Sequence, residues 1–351
     1  MTPSRELVRR MALSLAIGAA GGTLFFWLQL PLAWMLGAMS ATTLAALVRA
    51  PLGFWMPLRS VMITVIATLL GSGFTPEVAD RVAGWAASAA VVVGYVVAIS
   101  VLVTCYLIWV ARWHRVTSFF AATPGGLGIM ALVGEAYGGD VRAISLTHAT
   151  RILIVVCSIP LYLHYVGGLD VPPTSRLPSD VRVAGLDDLG ILAVLAVVGA
   201  IAAVRLRIPN APFMGPFALS AAAYYFGLVD GRPPLALVWG AQLVIGSALG
   251  ARFVGVSFAD VRRVLGVAVG SGLLMLAGAV AISKLAAPWL GVDPDALLLA
   301  LAPGGLPEMT LMALALHIDT AFVSTMHILR IILVVVAAPF VFKLLHWHGP
   351  P

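Results

Sequence analysis

The chain has 351 residues, 61% of them hydrophobic and only 10% charged, with a net charge of +6 and a mean hydropathy of +1.03. Soluble domains carry roughly 25% charged residues, so a soluble fold is excluded. The basic residues are scattered singly at the ends of apolar runs rather than gathered into a patch, which speaks against direct nucleic-acid binding and for helices anchored in a bilayer.

Twelve apolar segments follow one another along the chain: 11–30, 31–48, 54–75, 84–111, 117–134, 143–166, 189–204, 210–229, 235–250, 264–289, 297–316 and 321–345. About 20 apolar residues cross a hydrocarbon core of about 30 Å, and these long unbroken runs predict helices rather than the alternating strands of a barrel. Arg5, Arg9 and Arg10 before an Ala/Gly/Leu run look like a signal peptide, but a matching segment in mid-chain argues against cleavage. Cys105 and Cys157 both lie inside apolar runs, which fits neither a disulfide framework nor a metal cluster.

The chain is internally duplicated. A shift of 179 residues places Pro303 on Pro124, Asp319 on Asp140, Ser324 on Ser145, His327 on His148, Arg330 on Arg151 and Pro339 on Pro160, with 15 of 37 positions identical and no gap. Pro31 and Gly37 resemble Pro209 and Gly215 in the same way. The sequence therefore divides into a first membrane repeat (1–167), a polar linker (168–185) and a second membrane repeat (186–351). Lys and Arg favour short cytoplasmic loops, and the loop charges exchange between the repeats. The first ten residues are net +2 and the linker through Asp188 is net −2; Arg112 and Arg115 precede the first Pro-Gly-Gly, whereas Asp293 and Asp295 precede the second. An inverted repeat needs an odd number of crossings, so one apolar segment in each half is expected to be re-entrant or interrupted. The fold class is all-α, a polytopic membrane protein of two inverted repeats with about ten transmembrane helices, interrupted segments and both termini cytoplasmic.

The candidate site centres on AATPGGLGIM (121–130) and LAPGGLPEM (301–309). Proline lacks an amide hydrogen and paired glycines form helix poorly, so Pro124, Gly125, Gly126 and Pro303, Gly304, Gly305 predict breaks in the membrane. Such breaks need cover from protein or water, and in inverted-repeat transporters they lie near the midplane. Asp140 and Asp319 read as N-caps of the helices that follow. At about 1.5 Å per residue, His148 and His327 then lie about 12 Å down those helices, and Arg151 and Arg330 about 16 Å, on one face. A guanidinium at that depth costs about 2.5–3.5 kcal/mol or more, so it faces a carboxylate, freed carbonyls at the opposite break, or an anion. Glu308 replaces Ile129 in the second copy, as a partner for an arginine or a proton carrier.

These two PGGL segments with their His-x-x-Arg helices resemble the AbrB-type family of bacterial membrane proteins, recognised by its internal duplication. Members have been labelled both regulators of gene expression and ammonia monooxygenases. More distantly, the halves are similar to the cation/proton antiporter and bile-acid transporter superfamily. The leading expectation is a multi-pass protein of the bacterial inner membrane that carries a small, anionic solute by secondary transport, without cofactor, metal or enzymatic activity. The other expectation is a membrane regulator that affects gene expression indirectly. Partners are the lipid bilayer, a small-molecule or ion substrate and, compatibly, further copies of the chain. The inverted topology predicts that reporter fusions within 170–185 lie outside the cytoplasm and fusions at the N-terminus inside it; a cytoplasmic linker would contradict it.

Overall fold

The computed structural model describes residues 4–30, 32–168, 183–256 and 258–345; Pro31, most of the 168–185 linker, His346 and His348 lie outside them. The described chain is helical: α1 (Arg5–Trp27), α2 (Ala33–Leu47), α3 (Met56–Leu70), α4 (Pro76–Val82), α5 (Ala86–Trp109), α6 (Arg115–Ala122), α7 (Leu127–Ala136), α8 (Val141–Tyr165), α9 (Leu186–Arg205), α10 (Ala211–Tyr225), α11 (Leu235–Gly250), α12 (Phe258–Leu290), α13 (Pro294–Leu301), α14 (Leu306–Ala315) and α15 (Thr320–Leu344). Eight of these are long and apolar enough to cross a bilayer. Of the ten full crossings expected, α2 and α10 fall short. Each has 15 residues, about 22 Å against a core of about 30 Å, whereas α3 and α11 are carried on by a 3-10 turn to Gly73 and Phe253 and reach 18 and 19 residues. Both α2 and α10 start behind a left-handed residue, Leu32 (φ 50°) and Asn210 (φ 54°), so the helix cannot extend further back.

The duplication is visible in the backbone. Left-handed residues recur at matched places: Gln29 with Arg207, Leu32 with Asn210, Arg49 with Gly227, Arg112 with Gly291, and Gly138 with His317. Glycine and asparagine take this conformation at the lowest cost; Arg49 and Arg112 adopt it in capping turns at helix ends, where Ala50 N donates to Ala45 O and Trp113 N to Leu107 O, whereas Leu32 is held in it while fully buried.

Two compact units form, and neither is a sequence half. The first unit takes residues 1–80, 164–257 and 314–320, and the second 81–163, 258–313 and 321–351. In the first unit α1 packs on α2 and α9 on α10, while α2 meets α11 and α3 meets α10 across the repeats. Glycine permits these contacts. A Cβ on Gly37 would meet Gly21 O, with Gly22 Cα at 2.8 Å, and one on Gly215 would meet Gly199 O, with Ala203 Cβ at 2.8 Å. The cross-repeat contacts add hydroxyls: Ser220 Oγ donates to Thr68 O at 2.6 Å beside Gly71, and Thr64 Oγ1 donates to Pro212 O at 2.8 Å.

In the second unit α6 and α7 form a re-entrant hairpin. Asp140, just past α7, donates its amide to Thr117 Oγ1 in the first turn of α6 at 3.0 Å, and Phe120 stacks on Tyr137 at 6.0 Å. Both ends of this segment therefore sit together and the break lies at its tip. Among the described residues four helices of each half are long and apolar enough to cross, so the odd number that inversion requires rests on the short α2 and α10. α13 and α14 are interrupted at the matching place.

Since backbone rather than a movable side chain opposes any added atom, Gly37→Ala and Gly215→Ala are each expected to cost about 1–3 kcal/mol. Gly94→Ala, where nothing lies within 4 Å, is expected to gain about 0.5–1 kcal/mol from helix propensity. Thermal unfolding in detergent measures both.

Candidate functional site

The two breaks and the two His-x-x-Arg motifs come together within the second unit. α6 ends at Ala122 with Thr123 as its cap, and α7 restarts behind Gly126. α13 ends at Leu301 with Ala302 as its cap, and α14 restarts at Leu306. Interruption at Pro124–Gly126 and Pro303–Gly305 thus falls where the missing amide and the glycines place it. Each break frees carbonyls that a continuous helix would have bonded, and in a membrane these need donors.

Arginine supplies them at the second break. Arg330 Nη1 donates to Ala302 O at 2.5 Å and Nη2 to Gly304 O at 2.8 Å. Arg151, from the first repeat, donates its Nε to Pro303 O at 3.1 Å. Two guanidiniums from symmetry-related helices thus hold three successive carbonyls of one turn. The repeats behave differently here, since Arg330 bonds the break of its own repeat and Arg151 the opposite one. Both arginines are 3% exposed. Their hydrogen bonds include no carboxylate, and the Nε of Arg330 is buried without a partner among the described residues. Arg151 Nη1 faces only the sulfur of Met275, at 3.8 Å.

The histidines explain the i, i+3 spacing. His148 Nε2 lies 2.9 Å from Phe120 O while its Nδ1 lies 2.9 Å from Arg151 Nη2. His327 repeats this, with Leu299 O at 2.8 Å and Arg330 Nη2 at 2.8 Å. Guanidinium can only donate and a carbonyl can only accept, so each ring is neutral, protonated at Nε2 and accepting at Nδ1. With both nitrogens engaged, the histidines orient the arginines and tie α8 to α6 and α15 to α13. They are positioning residues in this arrangement.

Glu308 is buried, 2% exposed, and the hydrogen bonds described above join the arginines to carbonyls, histidines and a sulfur. Glu308 stands at the third position of α14 and folds back over the break, so that a Cβ on Gly305 would meet its Oε2, with Cδ at 2.8 Å. A carboxylate there lies against the positive end of the helix. Its counterpart Ile129 leaves 3.9 Å at Gly126, so the two breaks differ in how closely a side chain covers the second glycine. Asp140 caps α8 as expected, accepting from the amides of Arg142 and Ala143 at 2.9 and 3.1 Å, and Ser324 bonds back to Ala321 O at 3.1 Å. The first break leans on the other repeat too: a Cβ on Gly125 would come within 2.9 Å of Val334 Cγ1 on α15.

Sequence reasoning missed Tyr95 and Met275. Tyr95 on α5 donates to Met275 O at 2.6 Å and so fixes the stretch of α12 that faces Arg151. Neither residue has a counterpart in the other repeat; the available signal was a tyrosine hydroxyl within an apolar helix, which needs an acceptor. Among the described residues no group of three His, Cys, Asp or Glu side chains gathers as metal ligands.

A polytopic all-α membrane protein with paired helix breaks is thus the class that this fold and site define. The chain matches the family model described as "Transition state regulatory protein AbrB" over residues 34–346. It belongs to that family. It is 26% identical to "Uncharacterized protein YhjN" of Bacillus subtilis (strain 168) over 95% of this chain and 93% of the relative. It is 22% identical to "Putative regulator AbrB" of Escherichia coli (strain K12) over 67% of each chain.

Replacing His148 or His327 by Phe strips partners from one carbonyl and one guanidinium nitrogen, each costing about 1–3 kcal/mol when left buried. Both variants are expected to unfold at lower temperature than the wild type, read by thermal denaturation in detergent. A wild-type midpoint would refute the positioning role.

Proposed function

We propose that the protein is a secondary transporter of a small anionic solute in the bacterial inner membrane, and not an enzyme. One observation carries this reading: two buried guanidiniums converge on a helix break with no carboxylate bonded to either and one N–H still unpartnered. Positive charge without a counter-ion at membrane depth is costly, and an anion entering the site would relieve that cost. Carboxylate or phosphate fits the planar fork of arginine best. The carbonyls of the break then act as a resting partner that the solute displaces, and Glu308 is the natural seat of a coupling proton or sodium ion. The inverted repeat supplies the two related arrangements that alternating access uses.

A membrane regulator acting indirectly is the second reading, favoured by the regulatory descriptions that the family model and the Escherichia coli relative carry. Uptake into proteoliposomes separates the two.

Small carboxylates and phosphate should be screened with and without proton and sodium gradients. For the solute found, Arg151→Lys and Arg330→Lys are expected to weaken binding about tenfold, as charge remains but the bidentate fork is lost, with folded yield kept. Glu308→Gln is expected to abolish gradient-driven uptake and to spare exchange. Wild-type affinity in both lysine variants would reject the anion site.

A further inference from the structure

The second unit also carries a cavity of about 630 Å³ that the arginine site does not use. α5, α6 and α15 form its walls, with Val97, Val101, Trp109, Thr123, Val341 and the basic Arg115 among its lining. Val97, Val101, Trp109 and Val341 are 44–75% exposed, so the walls open laterally. Its polar hydroxyls are already occupied: Ser100 bonds Val96 O at 2.6 Å, Thr104 bonds Ser100 O at 2.6 Å and Thr123 bonds Phe119 O at 2.7 Å. What remains is an apolar channel with a cation at one end.

That end lies at a membrane surface. Trp109, Arg112, Trp113, His114 and Arg115 follow almost consecutively between α5 and α6, the aromatic and basic composition of headgroup depth. The other end reaches Thr123, at the tip of the re-entrant hairpin. From Trp109 back to Val97 the wall spans about 18 Å at 1.5 Å per residue, roughly the 15 Å of one leaflet plus the start of its interface.

We propose that this groove binds one acyl chain of an anionic membrane phospholipid, whose phosphate lies against Arg115. The chain fills the apolar walls to the depth of the hairpin tip, while the charge at the mouth selects an anionic headgroup over a zwitterionic one. Thr123 and Val334 line the groove and border the first break, so the bound chain becomes part of the cover that an interrupted segment needs in the bilayer.

The test uses full-length protein in nanodiscs of phosphatidylglycerol or phosphatidylcholine, followed by native mass spectrometry. One phosphatidylglycerol per chain is expected to survive delipidation. Ala337→Trp, which fills the groove, is expected to reduce retention about tenfold or more, because each buried methylene displaced forfeits about 0.8 kcal/mol. Arg115→Gln is expected to reduce it about fivefold, the equivalent of the roughly 1 kcal/mol a basic residue contributes near an anionic surface. A second measurement needs no groove-filling variant: the fluorescence of Trp109, which lines the groove, is read as the difference between wild-type and Trp109→Phe protein. Phosphatidylglycerol carrying a nitroxide on its chain is expected to quench it at about fivefold lower concentration than the phosphatidylcholine analogue. Equal quenching by the two lipids, wild-type retention in Ala337→Trp, or a lipid-free dimer whose groove is closed by a second copy would each overturn the proposal.

Discussion

A helix broken inside a bilayer leaves carbonyls that water cannot reach, and this constraint organises the second unit. At Ala302, Pro303 and Gly304 three such carbonyls occur in succession. A guanidinium, with several N–H groups in a fixed plane, serves a turn of this kind with less loss of freedom than the ammonium of lysine. Each guanidinium must in turn be aimed, and the histidine one turn earlier does so by accepting from it and donating to a carbonyl of α6 or α13. The His-x-x-Arg motif is a single hydrogen-bonded relay running from helix backbone to helix break.

The cost of the arrangement is also its use. Carbonyl dipoles satisfy hydrogen bonds but do not neutralise charge, so two cations stay buried together. Had Glu308 paired with one of them, the site would be a closed structural ion pair. It instead turns back over Gly305, keeping a negative group close to the break and out of the arginines' hydrogen bonds. This separation of charges is what the proposed site for an exchangeable anion and a coupling cation would use.

The other unit solves a different problem with different residues. Its helices cross through glycine at Gly21, Gly37, Gly199 and Gly215, where backbone meets backbone, and through hydroxyls that bond carbonyls of the facing helix. Small residues let helices approach closely in lipid, where apolar burial by itself drives little association. The first three helices of each repeat therefore build a close-packed body, while the later segments carry the breaks and the charges.

Much of this was legible in the sequence. Hydropathy established the membrane class, because no soluble core accounts for twelve apolar runs, and the 179-residue register of Pro, Asp, His and Arg established the duplication. Proline chemistry located both breaks, and the expense of a deep guanidinium singled out Arg151 and Arg330 together with their candidate partners, the freed carbonyls. Tertiary structure decided the rest. That α2 and α10 stop short depends on turns held in the left-handed region by packing, which leucine does not advertise. That Arg330 bonds the break of its own repeat while Arg151 takes the opposite one, and that Tyr95 and Met275 belong to the site, rest on helices distant in sequence coming together. Interleaving of the repeats into two units is likewise invisible to a linear reading. A repeat records how the chain was built, whereas a compact unit records which faces found each other.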